Sequence, residues 1–241
     1  MTLRELRDAL RQRATPERAA GALRFFKTGP SEYGEGDQFL GVTVPNTRSL
    51  LPKGDALREA DVLSLLHSKW HEERLLALLI LVRRFGKARK DEAVREHLVR
   101  LYLANTEWVN NWDLVDSSAP QILGTWLLGR DRAVLRRLAR SKSLWEQRIA
   151  IIATQALIRD GQFDDTLHLS EHFLTHPHDL MHKACGWMLR EVGDRDDAVL
   201  RHFLDRHAAR MPRTMLRYAI EKLPEADRKQ YLSMRNESSR T

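Results

Sequence analysis

The sequence predicts an all-α protein, folded as a superhelical solenoid of HEAT-like two-helix repeats with a concave face. Apolar residues recur at helical spacing along nearly the whole chain, and strand-like alternation is almost absent. Related helices also return at a period of roughly 35–40 residues, within the range of HEAT-like units. Three of them begin at Trp70-His-Glu-Glu-Arg, Trp145-Glu-Gln-Arg and His182-Lys-Ala-Cys-Gly-Trp. Because one such unit cannot bury its apolar face alone, we expect neighbouring units to stack.

The elements follow in order from local signals. Leu3, Leu6 and Leu10 mark a first amphipathic helix, and Thr15-Pro16-Glu17 is a cap with an N1 proline that starts a second. The glycine-rich stretch 29–41 predicts a loop or small hairpin insertion. The later helices are predicted at roughly 45–53, 57–68, 71–86, 90–104, 107–127, 131–140, 145–159, 163–174, 178–193, 196–208, 212–222 and 225–234.

No linker or shift in composition divides the chain, so we expect a single domain over residues 1–241, with 235–241 as a disordered tail. The 40 Lys and Arg against 33 Asp and Glu give a net charge of +7, which favours a polyanionic partner. One cysteine, Cys185, excludes an internal disulfide framework. Without an 18-residue apolar run or a signal core, the chain is expected to be soluble and cytoplasmic, with no membrane partner.

Two histidine patterns resemble metal sites, but neither is complete. His168, His172 and His176 share helical spacing without a cysteine or suitably spaced carboxylate, and Pro177 ends that pattern. His71-Glu72-Glu73 begins like a zinc-protease helix, yet Leu75 stands where the second histidine belongs. We therefore expect no metal site.

The most informative stretch is Trp108-Val-Asn-Asn-Trp-Asp-Leu-Val-Asp-Ser-Ser-Ala-Pro120. In a helix, Trp112 and Asp116 stand at i and i+4 on one face. An indole face beside a carboxylate suits a ligand that is cationic or becomes cationic as it reacts. The alternative is a core tryptophan and an aspartate that caps a neighbouring helix.

Arg148 and Trp187 occupy equivalent second helices of later repeats, so they are candidates for the same face as Trp112. The alternatives are a salt bridge between repeats for Arg148 and a core position for Trp187.

Three blocks of sequence follow one another with near-constant spacing: Val109-Asn-Asn-Trp-Asp-Leu-Val-Asp-Ser-Ser-Ala-Pro120, Trp145-Glu-Gln-Arg148 and Lys183-Ala-Cys-Gly-Trp-Met-Leu-Arg-Glu191. Gly41-Val-Thr-Val-Pro-Asn-Thr-Arg48 precedes them. Together these blocks resemble the DNA alkylation repair family, the AlkD-type DNA glycosylases built from HEAT-like repeats. The resemblance extends over most of the chain.

The resemblance implies a role for each matching residue. Asp116 corresponds to the catalytic carboxylate, Trp112 and Trp187 to two tryptophans that face the sugar, and Arg148 to a helper arginine. The further contacts expected with DNA are at Arg48, Lys183, Arg190 and Thr43. The implied reaction removes cationic N3- or N7-alkylated purines from duplex DNA without base flipping and without a cofactor. The implied protein is a bacterial monomer, associated with the nucleoid when bound to DNA.

The sequence also departs from the family pattern. The 29–37 insertion is longer than the corresponding link, Asp179 and Leu180 replace aromatic residues, and Thr43 replaces a glutamine. These departures leave open a non-catalytic HEAT-repeat protein that binds branched or damaged DNA. A protein-binding scaffold is a third interpretation, disfavoured by the basic charge and the four-residue site.

Overall fold

The computed structural model describes residues 2–234, so the predicted tail at 235–241 lies outside the described residues. Every named element within that range is helical, which confirms the all-α class. None of these described helices is both long enough and apolar enough to cross a membrane. The chain divides into two compact units, Met1–Ile122 and Leu123–Thr241. Their boundary falls within a short π-helical segment, Pro120–Gly124.

The first unit contains eight of the described α-helices. They are α1 (Leu3–Arg11), α2 (Pro16–Phe25), α3 (Val44–Arg48), α4 (Leu51–Gly54), α5 (Glu59–Leu66), α6 (His71–Lys87), α7 (Glu92–Leu103) and α8 (Trp112–Asp116). The central helix is α6, which packs against α3, α4, α5, α7 and α8. Its run from Leu75 to Leu81 is buried, so apolar burial on several sides holds this helix in place.

The second unit contains the remaining described helices. They are α9 (Ala133–Ala139), α10 (Leu144–Arg159), α11 (Asp164–His172), α12 (Asp179–Gly193), α13 (Asp197–His207), α14 (Arg213–Ala219) and α15 (Glu225–Ser233). Within this unit α10, α12 and α14 pack side by side, while α9, α11 and α13 pack against them. This pairing of alternate helices is the arrangement expected of two-helix repeats.

Close approach between α12 and α14 depends on Gly186. A Cβ at this position would lie 2.5 Å from the carbonyl oxygen of Met215, which leaves no space for any other residue. The glycine of the Ala-Cys-Gly-Trp block therefore has a packing role in the second unit.

The single helix predicted for 107–127 is wrong. The chain there forms a 3₁₀ turn at Thr106–Trp108, the five-residue helix α8, and the π-helical segment. Two signals in the sequence account for the breaks. Asn111 accepts a hydrogen bond from the Trp112 N–H and begins α8, and Pro120 has no N–H with which to continue a regular helix.

The insertion at 29–41 takes the form of a loop. Turns occupy residues 29–36, and the described residues form no hairpin. The end of the loop lies on the first turn of α6, where the Gln38 carbonyl accepts a hydrogen bond from the His71 N–H at 2.8 Å. Gly41 has φ of +79°, and a Cβ there would lie 2.1 Å from the Thr15 carbonyl oxygen. The loop is therefore fixed where it returns to the helices.

Candidate active site

Helix α8 carries the two residues to which the sequence pattern gives most weight. Trp112 is its first residue and Asp116 its last, one helical turn apart as predicted. Both side chains are half-buried, and the apolar residues between them, Leu114 and Val115, are fully buried. Burial of one face of α8 therefore turns the other face, with Trp112 and Asp116, toward solvent.

Trp112 lies against two phenylalanines from the end of α2. Its ring stacks on Phe26 with centroids 5.4 Å apart and an interplanar angle of 18°. Phe25 meets it edge-on at 5.9 Å and is itself 64% exposed. These contacts hold the indole in a defined orientation. Trp112 is therefore not a core side chain, but its ring is not free to rotate either.

The carboxylate of Asp116 lies near the buried phenol of Tyr102. Burial raises the pKa of Tyr102, and the negative charge of Asp116 contributes to the same direction, while a hydrogen bond with Ser118 opposes it. The Tyr102 hydroxyl and the Ser118 Oγ are 3.1 Å apart, and Ser118 donates to the Leu114 carbonyl at 2.6 Å. Tyr102 thus remains a neutral hydrogen-bond donor behind α8.

A buried charged cluster underlies the first turn of α8. His71 bonds through Nδ1 to Asp37 at 2.9 Å and through Nε2 to Asp113 at 2.8 Å. Asp37 also pairs with the Arg74 guanidinium, and Asn111 donates to it at 3.1 Å. The cluster joins the insertion loop, α6 and α8, and the sequence pattern did not predict it.

The charges in this cluster stabilise one another. Burial favours the neutral form of His71, but Asp113 and then Asp37 outweigh it and raise the pKa of His71 to about 9. Burial likewise opposes ionisation of Asp37, but His71 and Arg74 hold its pKa below the ordinary value. The cluster therefore contains an imidazolium between two carboxylates at neutral pH.

Arg148 lies near the start of α10 and is only 4% exposed. Its Nη1 donates to the Leu180 carbonyl at 2.7 Å, which ties α10 to the first turn of α12. Burial raises the pKa of the Cys185 thiol to about 12, and the nearby Arg148 charge partly opposes this shift. Arg148 thus has a structural contact within the second unit, and its role toward DNA stays a prediction.

Trp187 is half-buried on α12, so it is not a core residue. Its indole N–H donates to Glu191 at 2.9 Å. Two other predicted DNA contacts on this helix are engaged in ion pairs, since Lys183 pairs with Asp179 at 2.8 Å and Arg190 pairs with Glu221. Contact with a phosphate by either cation would require exchange of its carboxylate partner.

Thr43 and Arg48 lie at opposite ends of α3. The Thr43 Oγ1 accepts the Asn46 N–H at 3.4 Å and caps the helix, while Arg48 is exposed in the last turn. Thr43 also borders a pocket of about 150 Å³ that Phe26, Phe39 and Asp113 line. Thr43 therefore lies near the aromatic cluster around Trp112, whereas Arg48 is placed to contact a ligand only at the surface.

Sequence reasoning missed a basic stretch on α9 and the turn that follows it. Four exposed cations occur within seven residues: Arg136, Arg137, Arg140 and Lys142. No acidic residue lies between 132 and 145, and within the described chain none of the four forms an ion pair with a carboxylate. The absence of acidic residues was the signal in the sequence. Such a stretch is an electrostatic site for a polyanion.

Trp112 and Asp116 thus lie on one helix of the first unit, and Arg148 and Trp187 lie on adjacent helices of the second. Convergence of all four on one ligand stays a prediction. Among the described residues, no cluster of His, Cys, Asp or Glu has the geometry of a metal site.

The fold and these features define a class, namely an all-helical repeat protein with a half-exposed indole–carboxylate pair and a basic stretch that forms no ion pair within residues 2–234. Residues 6–223 match the profile of the family described as DNA alkylation repair enzyme. The chain therefore belongs to the DNA alkylation repair enzyme family, which supports a role in the repair of alkylated DNA.

A solved structure shows the same fold. The predicted DNA alkylation repair enzyme from Enterococcus faecalis superposes with a TM-score of 0.70, covering 88% of this chain and 98% of that one at 16% identity. No curated protein sequence matches the chain.

Proposed function

We propose that this protein hydrolyses the N-glycosidic bond of cationic N3- or N7-alkylated purines in double-stranded DNA. One observation carries the proposal. The indole of Trp112 and the carboxylate of Asp116 lie one turn apart on the same helix, both partly exposed, above the buried side chains of Leu114 and Val115. A flat π face beside an anion is the environment that stabilises a developing sugar cation.

The chemistry needs little beyond this pair. An alkylated purine already carries positive charge, so its bond to C1′ breaks without a strong general acid. The remaining demand is an oxocarbenium-like sugar and a water to attack it, a demand that carboxylates meet in glycoside hydrolysis. In this proposal Asp116 stabilises the cation and orients the water, while Trp112 and Trp187 flank the deoxyribose. Since these groups act on the sugar, the base need not leave the stack.

Affinity for the duplex would come from cations that lack a carboxylate partner among the described residues. Arg136, Arg137, Arg140 and Lys142 fit this description, and Arg48 is also exposed. Each phosphate contact releases a counterion, so binding is expected to weaken steeply with salt. Arg148 would contact a phosphate. We further propose that the protein acts as a monomer in the bacterial cytoplasm, without a metal or organic cofactor.

The test is release of methylated bases from a methylated duplex by wild type and by Asp116→Asn. The substitution keeps the shape of the side chain but removes its charge, so we expect release to fall at least about a hundredfold. Glu96→Gln is the matched control, because Glu96 is an exposed carboxylate on α7 whose pairing is with Arg100 on the same helix. It should release base at the wild-type rate.

Affinity for undamaged duplex should be unchanged in both variants. Full activity of Asp116→Asn would remove Asp116 from the mechanism. A wild-type protein that is inert on methylated DNA, yet binds four-way junctions tightly, would instead favour the non-catalytic DNA-binding alternative.

A further inference from the structure

The imidazole of His71 is held by a carboxylate at each nitrogen. Asp37 lies 2.9 Å from Nδ1 and Asp113 lies 2.8 Å from Nε2. A neutral ring has one N–H and one lone pair, so one of these contacts would set a lone pair against a carboxylate oxygen. The geometry therefore requires the imidazolium, which donates at both nitrogens.

The two carboxylates connect the His71 imidazolium to the first turn of α8. Asp113 is the second residue of that helix, and its other oxygen accepts the Leu114 N–H at 2.9 Å. Asp37 accepts from the side chain of Asn111, which begins the helix. The residues on both sides of Trp112 are thus attached to His71, one directly and one through Asp37.

The aromatic rings provide a second connection. His71 stacks on Phe39 with centroids 4.6 Å apart and lies 4.9 Å from Phe26. The two phenylalanines stack on each other at 4.9 Å, and Phe26 stacks on Trp112. Attraction between the imidazolium and these ring faces favours the same arrangement. The orientation of the indole therefore depends on His71 through hydrogen bonds and through the ring stack.

We propose that His71 is a positioning residue for base release: as an imidazolium it fixes the first turn of α8, and with it the indole of Trp112 and the carboxylate of Asp116. This proposal rests on the function proposed above. His71 lies beneath Phe26 and Phe39 and is almost fully buried, so it acts through α8 without contact to the DNA.

Base release should therefore have an upper pH limit that is set by His71, which is not one of the reacting groups. The charged groups around the ring are Asp37 from the loop, Asp113 from α8, Glu72 and Arg74 from α6, and Arg18 from α2. Because the pKa of His71 is raised to about 9, the imidazolium is complete at neutral pH and is lost as the pH rises through 9. Base release should decline over that interval, whereas DNA affinity should not.

The first readout is ¹⁹F NMR of protein labelled with 5-fluorotryptophan, with Trp112→Phe used to assign the Trp112 resonance. In wild type this resonance should shift with a single titration near pH 9. In His71→Gln it should be displaced at pH 7 and show no titration. His97→Gln is the matched control, since His97 is an exposed histidine on α7 that pairs with Glu59. It should reproduce the wild-type titration.

The second readout is base release between pH 6.5 and 9.5, with enzyme-free DNA at each pH. We expect kcat of His71→Gln at pH 7 to fall about ten- to a hundredfold with KM unchanged, as for a misplaced catalytic group. Asp113→Asn supplies an amide that donates to the neutral ring at Nε2, so this variant no longer needs the proton. It should lose the alkaline decline and keep the Trp112 resonance near its wild-type position.

These outcomes separate the two proposals. A wild-type protein that releases no base refutes the function, while the ¹⁹F titration still decides whether His71 fixes Trp112. If base is released but His71→Gln keeps the wild-type rate and pH profile, the positioning role is refuted and the function stands. Should His71→Gln fail to fold, Asp113→Asn decides alone, since an unchanged alkaline decline in it would overturn the proposal.

Discussion

Glu72 offers a demanding test of the structure, because one buried carboxylate holds three consecutive backbone N–H groups. Its Oε1 accepts from Gly41 at 2.8 Å and Val42 at 3.1 Å, and its Oε2 accepts from Leu40 at 2.9 Å. The residue is only 4% exposed, so water cannot replace these bonds. The test is Glu72→Gln, which keeps the size and removes the charge.

The magnitude follows from the three bonds. The amide oxygen can still accept from two of the N–H groups, but the NH₂ then faces the third, a donor against a donor. One orphaned buried donor costs about 1–3 kcal/mol. The two bonds that remain lose their charge assistance, roughly halving their strength. We expect the free energy of unfolding to fall by about 3–5 kcal/mol, a large part of an ordinary domain's stability.

Urea unfolding followed by circular dichroism measures this loss as a lower midpoint. Hydrogen exchange provides a local measure, because the amides of residues 40–42 should lose protection while those of α10 keep it. Glu96→Gln on the surface of α7 is the control and should stay within about 0.5 kcal/mol of wild type. A Glu72→Gln protein that matches this control, with 40–42 still protected, would refute the assigned contacts.

Three further predictions follow from the charged groups. The stability contributed by His71 should be complete below pH 6.5 and be lost as the pH rises through 9, a fall of about 3 kcal/mol in the free energy of unfolding. Urea unfolding at several pH values across this interval measures the fall, and His71→Gln should not show it. Arg148→Ala should lower the free energy of unfolding by about 1–3 kcal/mol, because it removes a buried donor from the Leu180 carbonyl, and an unchanged urea midpoint would contradict that contact. The double substitution of Arg140 and Lys142 by alanine should reduce the slope of log K against log salt by about two in fluorescence anisotropy with duplex DNA. Lys229→Ala, which removes a cation paired with Glu225, is the control for that slope.

The long helices were predictable because each has an apolar face with a regular period. Helices α6, α10 and α12 lie close to their predicted ranges, since burial reinforces the pattern along their whole length. The pair Trp112 and Asp116 was predictable for a simpler reason, because residues at i and i+4 share a face wherever the chain forms even one turn of helix. The error at 107–127 came from giving apolar periodicity more weight than two local signals: Asn111, which begins a new helix, and Pro120, which cannot continue a regular one.

The buried cluster was beyond the reach of sequence reasoning for a physical reason. Asp37 pairs with a histidine 34 positions later, and that histidine pairs with Asp113 a further 42 positions on. Such partners are set by the packing of α6 against α8 and by the path of the loop, and no local pattern encodes either. A partial signal was present, since four ionisable residues at 71–74 come directly before the apolar run 75–82 of the same predicted helix. Asp37 falls within the stretch predicted as a loop, yet its side chain is buried and paired with His71 and Arg74.

The first turn of α6 also has a consequence for how the first unit assembles. Glu73 is bound by Arg7 and Arg11 of α1, Glu72 by residues 40–42, and His71 and Arg74 by Asp37. These ionisable groups lose water together, so an intermediate that buries the turn before α1 or the loop has arrived leaves bare charge in a low-dielectric interior. We therefore expect these segments, which are far apart in sequence, to dock cooperatively and to make folding of the first unit slow. A chain that lacks α1 would leave the buried Glu73 without its two arginines. We expect such a chain to have no stable partly folded state.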